Sequence, residues 1–264
     1  MRANVLWVGL IVLASAVGLR AEEWTKTYLV TGKPEVRVSL DDGSIHVSTR
    51  NDTGVKATVS TCGWKFGPHD VRVEENQSGN RIDIQVEVPR GMHVVVGCKS
   101  VSVELVVPSQ SDLDLRSRDG SIAAEGVKGT ERLSTGDGRI DARAIDGVLN
   151  ADTQDGAVSV DGRFDALTVH TGDGRIDAIV RRGSKVSSAW SLMTKDGNVS
   201  VRLPSDVNAE LDARTADGSI NCEFPLAVSS SGDEDAHSVR GKLNGGGPML
   251  ELRTQDGRID VLKD

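Results

Sequence analysis

Aromatic residues are scarce in this chain of 264 residues: three Phe, four Trp and one Tyr make up 3% of it. Stacking platforms for bases or sugar rings gather several such side chains, so this poverty argues against nucleic acid and weakens a carbohydrate-platform reading. A basic surplus is missing too. The 31 Lys and Arg are outnumbered by 39 Asp and Glu, and without a basic stripe to neutralise phosphates no nucleic-acid partner is expected. The five histidines, His46, His69, His93, His170 and His237, lack any metal-ligand spacing, and no serine sits in a Gly-x-Ser-x-Gly elbow. No catalytic residue, metal site or cofactor is therefore assigned.

Long apolar runs are confined to the start. Residues 1–21, MRANVLWVGLIVLASAVGLRA, combine one early basic residue, an apolar stretch and small residues before an acidic segment, the pattern of a secretory signal peptide. Cleavage is expected after Ala21, or earlier after Ala16 or Gly18. The competing reading, an uncleaved anchor, is disfavoured because the run is shorter than the ~20 residues of a spanning helix, and no transmembrane segment is expected after signal removal. The remaining chain carries 29 basic against 39 acidic residues, a net charge of −10, and is expected in the periplasm or on the cell surface. Its three cysteines, Cys62, Cys98 and Cys222, leave at least one unpaired. Cys62 and Cys98 are candidates for a disulfide on compartment and position alone; three reduced cysteines in small core positions are an equal alternative.

What is abundant is one phrase. Thr or Ser, any residue, Asp, Gly, any residue, Ile or Val recurs as SRDGSIAA at Ser117, TGDGRIDA at Thr135, TQDGAVSV at Thr153, TGDGRIDA at Thr171, TKDGNVSV at Thr194, TADGSINC at Thr215 and TQDGRIDV at Thr254, with a looser LDDGSIHV at Leu40. Asp119, Asp137, Asp155 and Asp173 stand 18 residues apart, and the next steps are 23, 21 and 39. Stacked coils give such a step, because each coil presents the same core atoms to its neighbours while outward loops lengthen freely. Around each Asp-Gly the apolar residues alternate with polar ones, so both flanks read as strands with one buried face. Asp-Gly is also a strong hairpin signal, which keeps a hairpin meander or a propeller in contention. Only parallel stacking explains why like residues keep one register, with Thr135, Thr153 and Thr171 in one column, Ile140, Val158 and Ile176 in a second, and Ala142, Val160 and Ala178 in a third.

The expected fold is all-β: a parallel β-solenoid of about eight Thr-x-Asp-Gly coils at residues 109–264, preceded by an irregular N-terminal β cap and first coils at 22–108, with 22–264 as one continuous domain. The corners are Asp42-Gly43, Asp119-Gly120, Asp137-Gly138, Asp155-Gly156, Asp173-Gly174, Asp196-Gly197, Asp217-Gly218 and Asp256-Gly257, with glycine expected for positive φ. Within the cap, Val71 to Val88 and His93 to Val107 are the clearest alternating stretches. Residues 229–248, rich in Ser, Gly and acid, read as a flexible loop, and the coil around Asp256 as an uncapped end.

The order of these motifs, an early DDGSIHV, then VELVVPSQSDLDLRSRDGSI, the Thr-x-Asp-Gly copies, NVSVRLP and a closing GGGPMLELRTQDGRIDV, resembles a bacterial family of exported, adhesin-like β-strand-repeat proteins of unknown function. The resemblance implies a parallel β-solenoid at the cell surface or in the periplasm, and it supplies no catalytic residues to carry over. Many relatives place Asn or Ser where this chain has Asp.

Two kinds of chemistry compete with a purely structural role. The row Asp119, Asp137, Asp155, Asp173 and Asp196 offers oxygens of the type that hold calcium, but the nine-residue glycine-rich unit of calcium-binding β-rolls is absent; the alternative is that each Asp serves its own turn. A glycan-active β-helix enzyme needs two carboxylates in distinct environments, and a repeated surface Asp offers identical ones. The expectation is thus a non-catalytic exported binding or scaffold surface whose envelope or surface partner is a protein or glycan. An envelope-stress accessory protein with one specific partner is the alternative.

Overall fold

The computed structural model describes residues 21–89, 99–226 and 237–264. It is all-β: twenty strands form one hydrogen-bonded set, and no helix occurs among the described residues. In chain order the first strands are β1 (Ala21–Leu29), β2 (Glu35–Asp42), β3 (Ser44–Arg50), β4 (Gly54–Cys62), β5 (Arg72–Ser78), β6 (Arg81–Glu87) and β7 (Ser100–Pro108). The middle of the chain gives β8 (Asp112–Asp119), β9 (Ile122–Glu125), β10 (Lys128–Thr135), β11 (Ile140–Thr153), β12 (Val158–Asp173) and β13 (Ile176–Val180). Then come β14 (Trp190–Asp196), β15 (Val199–Leu203), β16 (Ala209–Asp217), β17 (Ile220–Cys222), β18 (Ser238–Leu243), β19 (Met249–Asp256) and β20 (Ile259–Lys263).

Pairing sorts these strands into two ladders joined by the Asp-Gly corners. Segments before a corner make one ladder, in the spatial order β5, β6, β2, β8, β10, β11, β12, β14, β19, β16, β18. Segments after a corner make the other, in the order β1, β4, β7, β3, β9, β11, β12, β13, β15, β20, β17. Strands β11 and β12 belong to both, their two halves lying on either side of a bend; in β11 this bend has Ala144 at φ 52° and Gly147 at φ 143°. Parallel pairing dominates and antiparallel pairing is kept to the ends. The expected columns are in register: Thr135 with Thr153 and Thr171, Ile140 with Val158 and Ile176, Ala142 with Val160 and Ala178.

Alternation explains the core. On most strands of both ladders alternate side chains are buried, the exceptions being β5 and β17 at the ends, and the buried apolar ones form a single cluster dominated by Val, Ile, Leu and Ala. The few large rings belong to it: Phe164 and Trp190 are fully buried and meet edge to face with centroids 6.4 Å apart. Aromatics are thus spent on packing.

Chain order and spatial order part company at both ends. The C-terminal pair β19 and β20, expected to end the stack uncapped, is interior: β19 lies between β14 and β16, and β20 between β15 and β17. At the other end β2 lies between β6 and β8, and β3 between β7 and β9. In each case strands that lie between spatially successive coils in the chain, β4 to β7 or β16 to β18, fold outward and become the terminal layer. Antiparallel strands finish these layers, with β1 on β4, β5 on β6 and β18 on β16, which limits the row of open backbone groups a parallel stack would otherwise present.

Smaller expectations are also revised. The stretch Val71 to Val88 is a hairpin of β5 and β6, turning at Gly79 with φ 61°. Of the stretch His93 to Val107, residues up to 98 lie outside the described residues, and β7 supplies the remainder. The segment 229–248 is not a loop throughout: Ser238–Leu243 is strand β18, whereas 229–236 lie outside the described residues. Cys62 is disulfide-bonded and Cys222 is a free thiol; Cys98, the expected partner of Cys62, lies outside the described residues, as does the expected signal segment up to residue 20.

Candidate functional site

The repeated corner is built from Thr, Asp and Gly, each with a separate task. Glycine is required by close approach. A Cβ placed on Gly120, Gly138, Gly156, Gly174, Gly197, Gly257 or Gly218 would stand 1.9 to 2.3 Å from the carbonyl oxygen of the neighbouring corner glycine, and one on Gly43 would stand 2.1 Å from that of Val101. No carbon atom fits there. Positive φ, the expected reason, applies at Gly43, Gly197, Gly218 and Gly257 but not at Gly120, Gly138, Gly156 or Gly174. At those four the stacking distance alone excludes a side chain.

The hydroxyl that precedes each Asp-Gly closes the same contact. Thr135 donates to the Gly120 carbonyl at 2.7 Å, Thr171 to Gly156 at 3.0 Å, Thr194 to Gly174 at 2.9 Å, Thr254 to Gly197 at 2.8 Å and Thr215 to Gly257 at 3.0 Å; Ser117 does the same for Gly43 at 3.0 Å. Thr153 is 1% exposed and donates to both Gly136, at 2.9 Å, and Gly138, at 3.1 Å. A buried hydroxyl is thereby satisfied and a corner carbonyl is held in place. Thr153→Val keeps the shape and removes the donor, so it is expected to cost about 1–3 kcal/mol in a urea melt; an unchanged midpoint would deny the hydroxyl this role.

Asp is the outward member. Asp42, Asp119, Asp137, Asp155, Asp173, Asp217 and Asp256 are exposed and Asp196 is half-buried. Asp42 pairs in register with Asp119, and Asp173, Asp196, Asp256 and Asp217 follow one another across neighbouring strands. Among the described residues the ion pair made by a corner aspartate is Asp196 with Lys195, at 3.9 Å. Arg175, which follows the Asp173-Gly174 corner, holds Asp177 at 2.6 Å. No group of three or more His, Cys, Asp or Glu among the described residues is arranged to hold a metal ion.

Away from the corners the outer faces carry acid and Arg two residues apart on one strand, hence on one face. Arg37 holds Glu35 at 2.7 Å, Arg116 holds Asp114 at 3.0 Å, Arg143 holds Asp141 at 2.5 Å and Arg253 holds Glu251 at 2.8 Å. Exposed pairs of this kind add little stability; their effect is a polar surface whose charges are largely self-compensated. His170 faces solvent beside Asp152, at 3.1 Å. Where β5 flanks β6, β2 and β8, the face forms a concavity of about 440 Å³ lined by Arg37, Ser39, Asn76, Asp83, Gln85 and Arg116. Cys222 occupies the small slot opposite Val261, and burial pushes its thiol above the ordinary value.

One residue escaped sequence reasoning. Glu131 on β10 is fully buried, and neither carboxylate oxygen has a hydrogen-bond partner. Four residues before the repeat's Thr or Ser, the other copies place Leu113, Leu149, Leu167, Trp190, Leu211 and Leu250. Lining up the copies on Thr135 would have exposed the one acid in that column.

Helices long and apolar enough to cross a membrane are absent among the described residues. No curated protein is detectably similar to the chain. Among solved structures, a proposed adhesin from Bacteroides fragilis is 12% identical over 92% of this chain and 97% of its own, with a TM-score of 0.52. A proposed cell adhesion protein from Clostridium sporogenes is 11% identical over 93% and 100%, with a TM-score of 0.42. At such identity the first likeness speaks for the fold alone. The family model described as Toastrack DUF4097 matches residues 35–262, nearly the whole span of the two ladders, and the chain belongs to that family.

Proposed function

We propose that this protein is an exported, non-catalytic, adhesin-like β-solenoid in which each of the eight Asp-Gly corners marks one coil, and that it acts as a binding or scaffold surface in the cell envelope. The observation that carries this reading is the contrast between a uniform, closely stacked interior and outer faces whose polar groups repeat at strand spacing. Such a surface offers many equivalent weak contacts along one rigid body, and linked weak contacts add up to avidity. The adhesin-like description of the Bacteroides fragilis protein agrees with it. Titrating the immobilised protein with isolated membranes, cell-wall glycan and whole cells tests the reading: saturable binding to at least one is expected, and binding to none would overturn it. A pull-down that returns a single stoichiometric protein would favour the accessory role with one dedicated partner instead.

A further inference from the structure

We infer that Glu131 is a proton-dependent latch in the core: the stack holds together with this carboxyl protonated and loosens around β10 when the proton leaves. The inference rests on where the side chain lies. Glu131 is paired in register with Leu113 on β8 and Leu149 on β11; the next inward residues of those strands are Leu115 and Ala151, with the hydroxyls of Ser117 and Thr153 beyond them at the corner. From the facing ladder, β9 and the first half of β11 present Ile122, Ala124, Ile140 and Ala142, all buried. None of these groups titrates or carries charge. The nearest charges along these strands, Asp112, Asp114 and Arg132, project from the outer face, where they are half-buried or exposed. The contrast with Asp212 is instructive. That buried carboxylate is ringed by Arg214 at 3.0 Å, Arg240 at 3.2 Å and Arg253 at 3.6 Å, whereas Glu131 has no cation and no donor.

A lone carboxylate in such surroundings is unstable relative to its neutral form. Burial alone raises the Glu131 pKa from 4.5 to about 8. The sign follows from linkage. The unfolded chain releases this proton near 4.5 and the folded chain only near 8, so folding takes up a proton in between and stability falls as pH rises through that window. The stabilisation is fully present below the lower value and gone above the upper one. A displacement of this size changes the folding constant by about three thousand-fold, or about 5 kcal/mol at 1.36 kcal/mol per pKa unit.

Urea unfolding of the wild-type protein, Glu131→Leu and Glu131→Gln at pH 5, 7 and 9 tests the latch. The wild type is expected to lose stability towards pH 9 far more steeply than either variant, and Glu131→Leu, which restores the Leu column, to exceed the wild type at pH 9. Parallel pH profiles for the wild type and Glu131→Leu would overturn the inference, as would a Leu variant that is less stable at pH 9 or does not fold. Should the buried amide of Glu131→Gln prevent folding, the Leu variant still decides.

Discussion

Gly156→Val is expected to lose more than about 4 kcal/mol of stability, the range reached when a buried contact cannot relax, and Gly156→Ala about 1–3 kcal/mol. The alanine result is the more telling. Where the backbone tolerates it, Gly→Ala stabilises by ~0.4–1 kcal/mol through the unfolded chain, and Gly156 lies outside the left-handed region, so a turn-geometry argument predicts a gain. The stacking argument predicts a loss, because the new Cβ would stand 2.1 Å from the Gly138 carbonyl oxygen and 3.1 Å from the Thr153 hydroxyl. Backbone on one side and a hydrogen-bonded hydroxyl on the other leave nothing flexible to yield. Thermal and urea unfolding of both variants give the answer. An alanine variant as stable as the wild type would mean that corners in neighbouring strands are farther apart than 2 Å contacts imply.

Deleting residues 249–264 is expected to abolish cooperative folding of the C-terminal half, not merely to trim an end. Those residues form β19 and β20, which carry the buried Leu250, Leu252, Ile259 and Val261. At about 1.5–3 kcal/mol for each buried apolar side chain, their loss removes about 6–12 kcal/mol, comparable with the whole stability of a typical domain. The deletion also separates β14 and β15 from β16 and β17, which pair with each other only through β19 and β20. Limited proteolysis should therefore cut within β16 and β17, between Ala209 and Cys222, in the shortened chain and not in the full one. A truncated protein that resists cleavage there and unfolds in one transition would show that β16 and its neighbours dock directly on β14.

The two experiments separate what local pattern encodes from what it does not. Alternation around Thr135, Ile140 and Ala142 already specified strands, inward faces and register, because a strand's buried face is written in every second residue and a one-residue slip would turn the whole face outward. The threonine column was legible for the same reason, whereas the hydrogen bonds its hydroxyls make and the carbonyl contact at the corner glycines were not. Long-range order was not. Every Thr-x-Asp-Gly copy is a competent neighbour for every other, so the step of 39 residues between Asp217 and Asp256 reads equally well as a loop on a coil in chain order or as an outward excursion.

The sequence by itself determined an all-β chain of like corners with a thin aliphatic interior and polar outer faces. The tertiary structure decided which strands close the ends, since unpaired edges must be covered and antiparallel excursions cover them. It replaced backbone conformation by carbonyl contact as the reason for Gly120, Gly138, Gly156 and Gly174. It also turned Glu131, one acid among many along the chain, into a carboxyl without a partner, because solvation depends on which side chains surround a residue in space.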